Sequence, residues 1–302
     1  MTQELQAELH QGVLVRFFGG FYVAADADGQ EYTLRCPKKF RHQRLSPLVG
    51  DAVRFTPGQG EEEGWLVEIL PRKTECIRPP VANVTLLLVS ICPSPEPDLL
   101  LVDRLLARAK KQGMKTALIV GKCDLDGGKL LVQMQEEYRR ADCPVLGVSA
   151  RNKEGLDSVR ALMRGEDCCC LAGQSGVGKS TLLNALLDLQ LETGEISEKI
   201  QRGKNTTRYA QLLIHDGIRV LDTAGFSLLE TEKGMEPEKL QELYPEFQPY
   251  IGQCRFQPCL HDREPGCAVT QAVQAGKIDG NRVERYRELL ADVRLAWKNR
   301  YQ

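Results

Sequence analysis

The sequence predicts a multidomain α/β protein, with a small β-barrel at the N-terminus, a parallel sheet flanked by helices in the middle, and a short, mainly helical module at the C-terminus. Three observations carry this. Five short apolar runs separated by turn residues open the chain, strand-like and helix-like patterns alternate after Pro71, and cysteines with one histidine cluster beyond residue 232. The corresponding divisions are residues 1–73, 74–231 and 232–302.

A length of 302 residues suits two or three cores rather than one. At 42% hydrophobic and 27% charged, the composition is that of a globular protein and excludes bulk disorder. The formal net charge of -1 gives no overall field toward nucleic acid or an anionic membrane, so any such binding has to be local. Residues 1–11 lack the basic start and apolar stretch of a secretory leader. No apolar run approaches the roughly 20 residues that cross a bilayer. A cytoplasmic monomer with no membrane partner is expected, and its eleven cysteines read as reduced thiols or metal ligands rather than a disulfide framework.

The barrel is read from residues 13–18, 21–25, 31–35, 52–56 and 65–69, cut by pairs such as Gly19-Gly20 and Pro57-Gly58. An OB-fold leads because it is a five-stranded, partly open barrel, although an SH3-like barrel fits the same composition. Residues 84–89, 117–120 and 145–148 then read as strands. Between the first two lies a helix over 99–111, with Leu101, Leu105 and Ala109 on one face. Further strands at 168–172, 211–214 and 219–221 and a helix over 179–187 continue the alternation that builds a parallel sheet. Cys168, Cys169 and Cys170 lie on one of these strands and are expected to pack as small hydrophobes.

Gly173-Gln174-Ser175-Gly176-Val177-Gly178-Lys179-Ser180 matches the eight-residue phosphate-binding loop, in the required context of strand, loop and helix. Its glycines let successive backbone N–H groups face a phosphate chain at the positive end of the following helix, where Thr181 also stands. Lys179 is expected to reach the β- and γ-phosphates and Ser180 to ligate Mg²⁺.

The loop does not say which base is bound. Guanine is read in small GTPases by Asn-Lys-x-Asp, whose carboxylate accepts from the N1–H and N2 amine that adenine cannot offer together. Here the strand at 117–120 runs into Gly121-Lys122-Cys123-Asp124, so Lys122 and Asp124 are in place while Gly121 replaces the asparagine. That exchange removes an amide which would touch the base and tie the two loops together. Ser149-Ala150, at the end of the next strand, matches the second base-contacting loop. Together these imply GTP and GDP as ligands.

Arg202-Gly203-Lys204-Asn205-Thr206-Thr207-Arg208 stands where a first switch would close on Mg²⁺ and the γ-phosphate through Thr206 or Thr207, with Thr207 slightly favoured. A solvated basic loop is the alternative for this stretch. Asp222-Thr223-Ala224-Gly225 matches the second switch, with Asp222 at a Mg²⁺-bound water and the Gly225 N–H at the γ-phosphate. Lys179, Thr207 and Gly225 are therefore the candidate catalytic groups. The motifs run base loop, Ser-Ala loop, phosphate loop, first switch, second switch, a rotation of the usual order.

Cys254, Cys259, His261 and Cys267 supply three thiolates and one imidazole, a set suited to one tetrahedral Zn²⁺. Four ligands leave no open position, so the role is structural, in a region with little apolar content around the loop. Downstream, Val283, Tyr286, Leu290, Val293 and Trp297 mark an amphipathic helix. Its intervening Arg282, Arg285, Arg287, Arg294 and Lys298 form a basic side, either solvated or in contact with RNA.

In this order the barrel, the rotated GTPase and the Cys₃His module resemble the RsgA (YjeQ) family of circularly permuted bacterial GTPases over nearly the whole chain. Val49-Gly50-Asp51, Arg78-Pro79 and Asp103-Arg104 also look like that family. The resemblance implies an OB-fold N-terminal domain, a circularly permuted P-loop GTPase domain and a zinc-binding C-terminal domain. It also implies GTP hydrolysis stimulated by the small ribosomal subunit, and a role in late maturation of that subunit through contacts with its rRNA. Arg35, Lys38, Lys39, Arg41, His42 and Arg44 offer a local basic stretch for phosphate contacts. Phe226 follows Gly225 where Ras-type enzymes place a water-orienting Gln, and Asn205 replaces a histidine common in the family. Two other readings compete: a nucleotide-gated RNA-binding factor with negligible hydrolysis, and an adenine-specific P-loop ATPase.

Overall fold

The computed structural model describes residues 9–38, 40, 45–58, 60, 62–76, 80–188, 210–223 and 235–300. It divides into two compact units, one of Met1–Leu86, Leu162–Cys170 and Gln190–Phe226, the other of Leu87–Ala161, Leu171–Leu189 and Ser227–Gln302.

The first unit opens with β1 (His10–Phe18), β2 (Phe21–Ala25), β3 (Glu31–Arg35), β4 (Ala52–Thr56) and β5 (Gly64–Ile69), closed into a barrel in the order β1-β2-β3-β5-β4. This is the OB-type barrel expected, with β3 and β5 parallel and β1 closing on β4. Alternate side chains point inward, so Leu14, Ala24, Leu34, Val53, Phe55 and Leu66 fill the interior. Gly12 is needed where β1 crosses β2, because a Cβ there would lie 2.4 Å from the Ala25 carbonyl oxygen. Below the barrel, buried Asp51 accepts from Arg72 Nε at 2.7 Å and Nη2 at 2.8 Å. A short ribbon of β6 (Glu75–Cys76) and β7 (Val81–Ala82) follows.

A six-stranded sheet has the order β10-β9-β8-β11-β13-β12. Its members are β8 (Leu86–Ile91), β9 (Lys115–Val120), β10 (Val145–Gly147), β11 (Cys169–Ala172), β12 (Ala210–His215) and β13 (Ile218–Thr223). β9 with β10 and β11 with β13 are parallel, while β12 is the antiparallel edge strand. Every residue of β8 is buried, the pattern of a strand covered on both faces. Cys168, Cys169 and Cys170 are buried as expected, and burial pushes the Cys169 thiol up to about 12.

Helices α1 (Leu99–Lys111), α2 (Lys129–Glu137), α3 (Leu156–Met163) and α4 (Lys179–Leu186) alternate with these strands. Asp98 caps α1 by accepting the Leu101 N–H at 2.8 Å, and three basic residues complement the dipole in its last turn. Two 3₁₀ helices, Pro237–Leu243 and Pro245–Tyr250, lead to α5 (Ala268–Gln274) and α6 (Gly280–Lys298). This last segment is richer in core than the sequence suggested. Leu240, Tyr244, Phe247, Val269, Tyr286 and Leu290 form one apolar cluster, which Ala107 of α1 joins. Among the described residues no helix is long and apolar enough to cross a membrane.

The basic side expected on α6 is corrected at two positions. Arg282 and Arg285 point inward to Asp103, whose side chain is fully buried. Arg282 Nη1 donates to Asp103 Oδ1 at 2.5 Å, Arg285 Nε to Oδ2 at 2.6 Å, and the Tyr138 hydroxyl to Oδ1 at 2.8 Å. Arg282 also donates to Glu246 and Arg285 to Glu137. Burial pushes the Glu137 carboxyl up, opposed by the charge of Arg285. Helical periodicity marks those arginines as off the apolar stripe, but a carboxylate delivered by another helix makes burial tolerable.

Asp103→Asn is expected to lower the unfolding free energy by about 3–5 kcal/mol, because it leaves two buried guanidinium groups under-compensated. Urea midpoints check this; a loss below about 1 kcal/mol would show that the cluster relaxes without its central charge.

Candidate nucleotide site and metal centre

β11 delivers the glycine-rich loop at the end of a buried strand, and α4 begins where the loop ends. Gly173 has φ 135, and a Cβ on it would lie 2.2 Å from the Ser90 carbonyl oxygen, so no other residue fits. Gly176 and Gly178 are left-handed, with φ 81 and 94, and Gly178 caps α4. Val177 is buried, whereas Ser175, Gly176, Ser180 and Thr181 are exposed around the helix start. Lys179 Nζ donates to the Gly173 and Gln174 carbonyls, both at 2.9 Å, and burial lowers its pKa. The ammonium is thus held by the loop it is expected to serve.

The base loop leaves the end of β9. The Gly121 N–H donates to the Ile91 carbonyl at 2.8 Å. Lys122 adopts φ 54, an uncommon conformation for a residue with a side chain, and its Nζ donates to the carbonyls of Ser94 at 2.9 Å and Gly176 at 3.1 Å. Base loop and phosphate loop are thereby joined. The Ser149 hydroxyl donates to Asp124 Oδ1 at 2.7 Å, and this hydrogen bond holds the Asp124 carboxyl below its usual range. Ala150 follows, partly exposed. The structure therefore brings together Gly121, Lys122, Asp124, Ser149 and the loop Gly173 to Ser180 from segments distant in sequence.

The switches are placed only in part. The Asp222 backbone lies in β13, paired across from Gln211 in β12. Thr206, Thr207 and Gly225 lie outside the described residues, as do Asn205, Phe226 and Arg78-Pro79. In the basic stretch of the barrel, Lys38 is exposed and Arg35 is paired with Glu63 at 2.9 Å, while Lys39, Arg41, His42 and Arg44 lie outside the described residues.

The four metal-ligand candidates converge. The donor atoms of Cys254, Cys259, His261 and Cys267 all lie within 4.8 Å of one another, and all four residues are buried. His261 Nδ1 is 3.6, 3.6 and 3.4 Å from the Cys254, Cys259 and Cys267 Sγ atoms. A tetrahedral Zn²⁺ with bonds of about 2.3 Å to S and about 2.1 Å to N separates S from N by about 3.6 Å, so the donor set fits this ion. The other imidazole nitrogen, Nε2, lies 2.8 Å from Gln241 Oε1, which fixes Nδ1 as the nitrogen free to ligate.

Sequence reasoning missed two contributors. Ser94 and Gln241 act through a carbonyl and a side-chain amide in segments that carry no motif. Gln174 belongs to the expected phosphate cradle through its backbone, and its side-chain Oε1 accepts the Asp98 N–H at 3.2 Å.

Residues 69–232 match the family model described as RsgA GTPase, and residues 11–66 match the RsgA N-terminal domain. The chain is 41% identical to the small ribosomal subunit biogenesis GTPase RsgA of Geobacillus thermodenitrificans, over 94% of this chain and 97% of that protein. It is 40% identical to the protein of the same name from Moorella thermoacetica, with the same coverage of 94% and 97%. Among solved structures it resembles YjeQ from Thermotoga maritima, with a TM-score of 0.82 and 32% identity over 95% of this chain and 99% of that one. It also resembles YloQ, a circularly permuted GTPase, with a TM-score of 0.79 and 27% identity over 97% of this chain and 98% of that one.

Two outcomes test the site. A Cβ on Gly121 meets only the Ile91 and Val177 carbonyl oxygens, at 3.5 and 3.8 Å, so a side chain fits. Gly121→Asn should strengthen guanine nucleotide binding by about 1 kcal/mol, roughly fivefold, through one hydrogen bond from its side-chain amide to the phosphate loop. Fluorescent nucleotide titration reads this, and an equal gain from Gly121→Ala would assign the effect to backbone stiffening instead. Gln241→Ala should weaken Zn²⁺ binding about 10–100-fold, measured by competition with a chromogenic chelator.

Proposed function

The chain belongs to the RsgA family of GTPases, and we propose that it hydrolyses GTP to GDP and phosphate on the small ribosomal subunit, assisting late maturation of that particle. The observation that carries this is the bond from Lys122 to Gly176, with Ser149 holding Asp124 nearby on the same loop system. Base-reading and phosphate-binding elements are assembled despite their rotated order. The names of the relatives, small ribosomal subunit biogenesis GTPases, supply the partner.

In this reading Asp124 accepts from the guanine N1–H and N2 amine. Its Ser149 hydrogen bond keeps the carboxylate charged and fixes one oxygen, and Ala150 lines the base. The backbone N–H groups from Gly173 to Thr181 cradle the phosphates at the start of α4. Lys179 exchanges its two carbonyl partners for phosphate oxygens, a trade favoured by the stronger charge-assisted bond. Ser180, Asp222 and Thr207, or Thr206 in its place, would hold Mg²⁺, which when bound offsets charge on the β- and γ-phosphates. The Gly225 N–H senses the γ-phosphate.

With Phe226 after Gly225 and Asn205 before the threonines, the chain supplies no obvious group to orient the attacking water. Slow intrinsic turnover, accelerated by the subunit, follows from that gap. The barrel, residues 1–73, contacts rRNA. Residues 74–231 bind nucleotide, and residues 232–302 are stapled by one structural Zn²⁺ at Cys254, Cys259, His261 and Cys267. The protein works in the cytoplasm as a monomer.

Nucleotide hydrolysis measured for GTP and ATP, with and without small subunits, tests the proposal. GTP turnover should rise strongly with subunits while ATP is ignored, and equal rates in all four conditions would sink it. Asp124→Asn should move the preference from guanine to xanthine nucleotides, because the amide donates where xanthine presents a carbonyl. An unchanged preference would mean that another residue reads the base.

A further inference from the structure

Resting on the reading of Gly173 to Ser180 as a phosphate loop, we propose that Gln174 is a positioning residue that passes the state of this loop to the C-terminal module through α1. The segment between β8 and α1 is seated on the loop at three points. The Asp98 N–H donates to Gln174 Oε1 at 3.2 Å. The Ser94 carbonyl shares the Lys122 ammonium with Gly176. Pro95 lies 3.9 Å from where a Cβ on Gly176 would stand.

Asp98 is also the N-cap of α1, so the residue that bonds Gln174 sets the position of the helix start. One turn further, Asp103 is gripped by Arg282 and Arg285 of α6, and Arg104 donates to Asp292 of α6 at 2.7 Å. α6 in turn holds the loop that carries the metal ligands. The Tyr286 hydroxyl donates to the Leu260 carbonyl at 2.8 Å, and Arg294 donates to Asp262 at 2.7 Å. Each link is a hydrogen bond or a continuous helix.

Loading the loop with phosphates orders the backbone on either side of the Gln174 side chain. The carbonyl offered to Asp98 is then held in one place, which fixes the α1 cap and, through Asp103, favours the docked position of α6. This route is separate from the second switch, which joins the C-terminal module through the chain itself.

Hydrogen exchange on the full chain, with and without a non-hydrolysable GTP analogue, tests it. The analogue should slow exchange in α4 and also in α6, the latter by about fivefold, the low end of coupling between sites. In Gln174→Met, of similar size but without the acceptor oxygen, the analogue is raised until α4 is protected as in the parent, and at that loading α6 should not be protected. Protection of α6 in Gln174→Met equal to the parent would overturn the inference, as would a parent in which only α4 responds. A parent in which α4 itself fails to respond would overturn the phosphate-loop reading and this inference with it.

Discussion

Asp103 accepts hydrogen bonds from two guanidinium groups and a phenol while its side chain is shut off from solvent. A carboxylate in that position is tolerable only because α6 brings both arginines to it, and those arginines are tolerable only because α1 brings the carboxylate. Arg282 is enclosed further by the rings of Tyr138 at 4.5 Å and Tyr244 at 5.1 Å, so the charges sit in an aromatic as well as an ionic frame. Around this mutual requirement the C-terminal helices find their place. Tyr286, one residue beyond Arg285, packs on Phe247, and Phe247 packs on the metal-ligand candidate His261.

The nucleotide site depends on a different kind of constraint, the close approach of backbone to backbone. Gly173 passes so near Ser90 that the phosphate loop is fixed by its neighbouring strand before any ligand arrives. Lys122, in a left-handed conformation, is kept there by two carbonyls, one of them in that same loop. The order in which these pieces occur along the chain is immaterial to this geometry. What matters is that β8, β9 and β11 are neighbours, so the loops at their ends meet.

Much of this was legible in the sequence because its signals are local. Strand, glycine loop and helix occur within about twenty residues, and the Cys₃His set within fourteen, so spacing alone defines them. The parts that were not legible depend on partners far along the chain. Nothing near Arg282 and Arg285 announces Asp103, and an arginine beside an apolar stripe reads as solvated until its carboxylate is known. Gln241 stands twenty residues before His261 in a 3₁₀ helix with no periodic pattern. Gln174 occupies a variable position of its motif, so only the fold reveals that its side chain meets the Asp98 N–H at the start of α1. The extent of the C-terminal core was underestimated for a related reason: Tyr244 joins two 3₁₀ helices and Phe247 lies in the second, where no 3.6-residue repeat collects apolar residues into a visible face.

The separation of Asp103 from Arg282 and Arg285, by 179 and 182 positions, also bears on how the chain is made. During synthesis α1 leaves the ribosome long before α6 exists, so its central carboxylate has to wait without the two arginines. Contacts of such long range close late. The barrel needs nothing beyond residue 69 to complete its ring of strands, whereas the Asp103 side of α1 meets its arginines only when α6 has emerged. A chain that stopped short of α6 would carry the phosphate loop but leave Asp103 without either arginine, an incomplete core of the kind that chaperones and proteases engage.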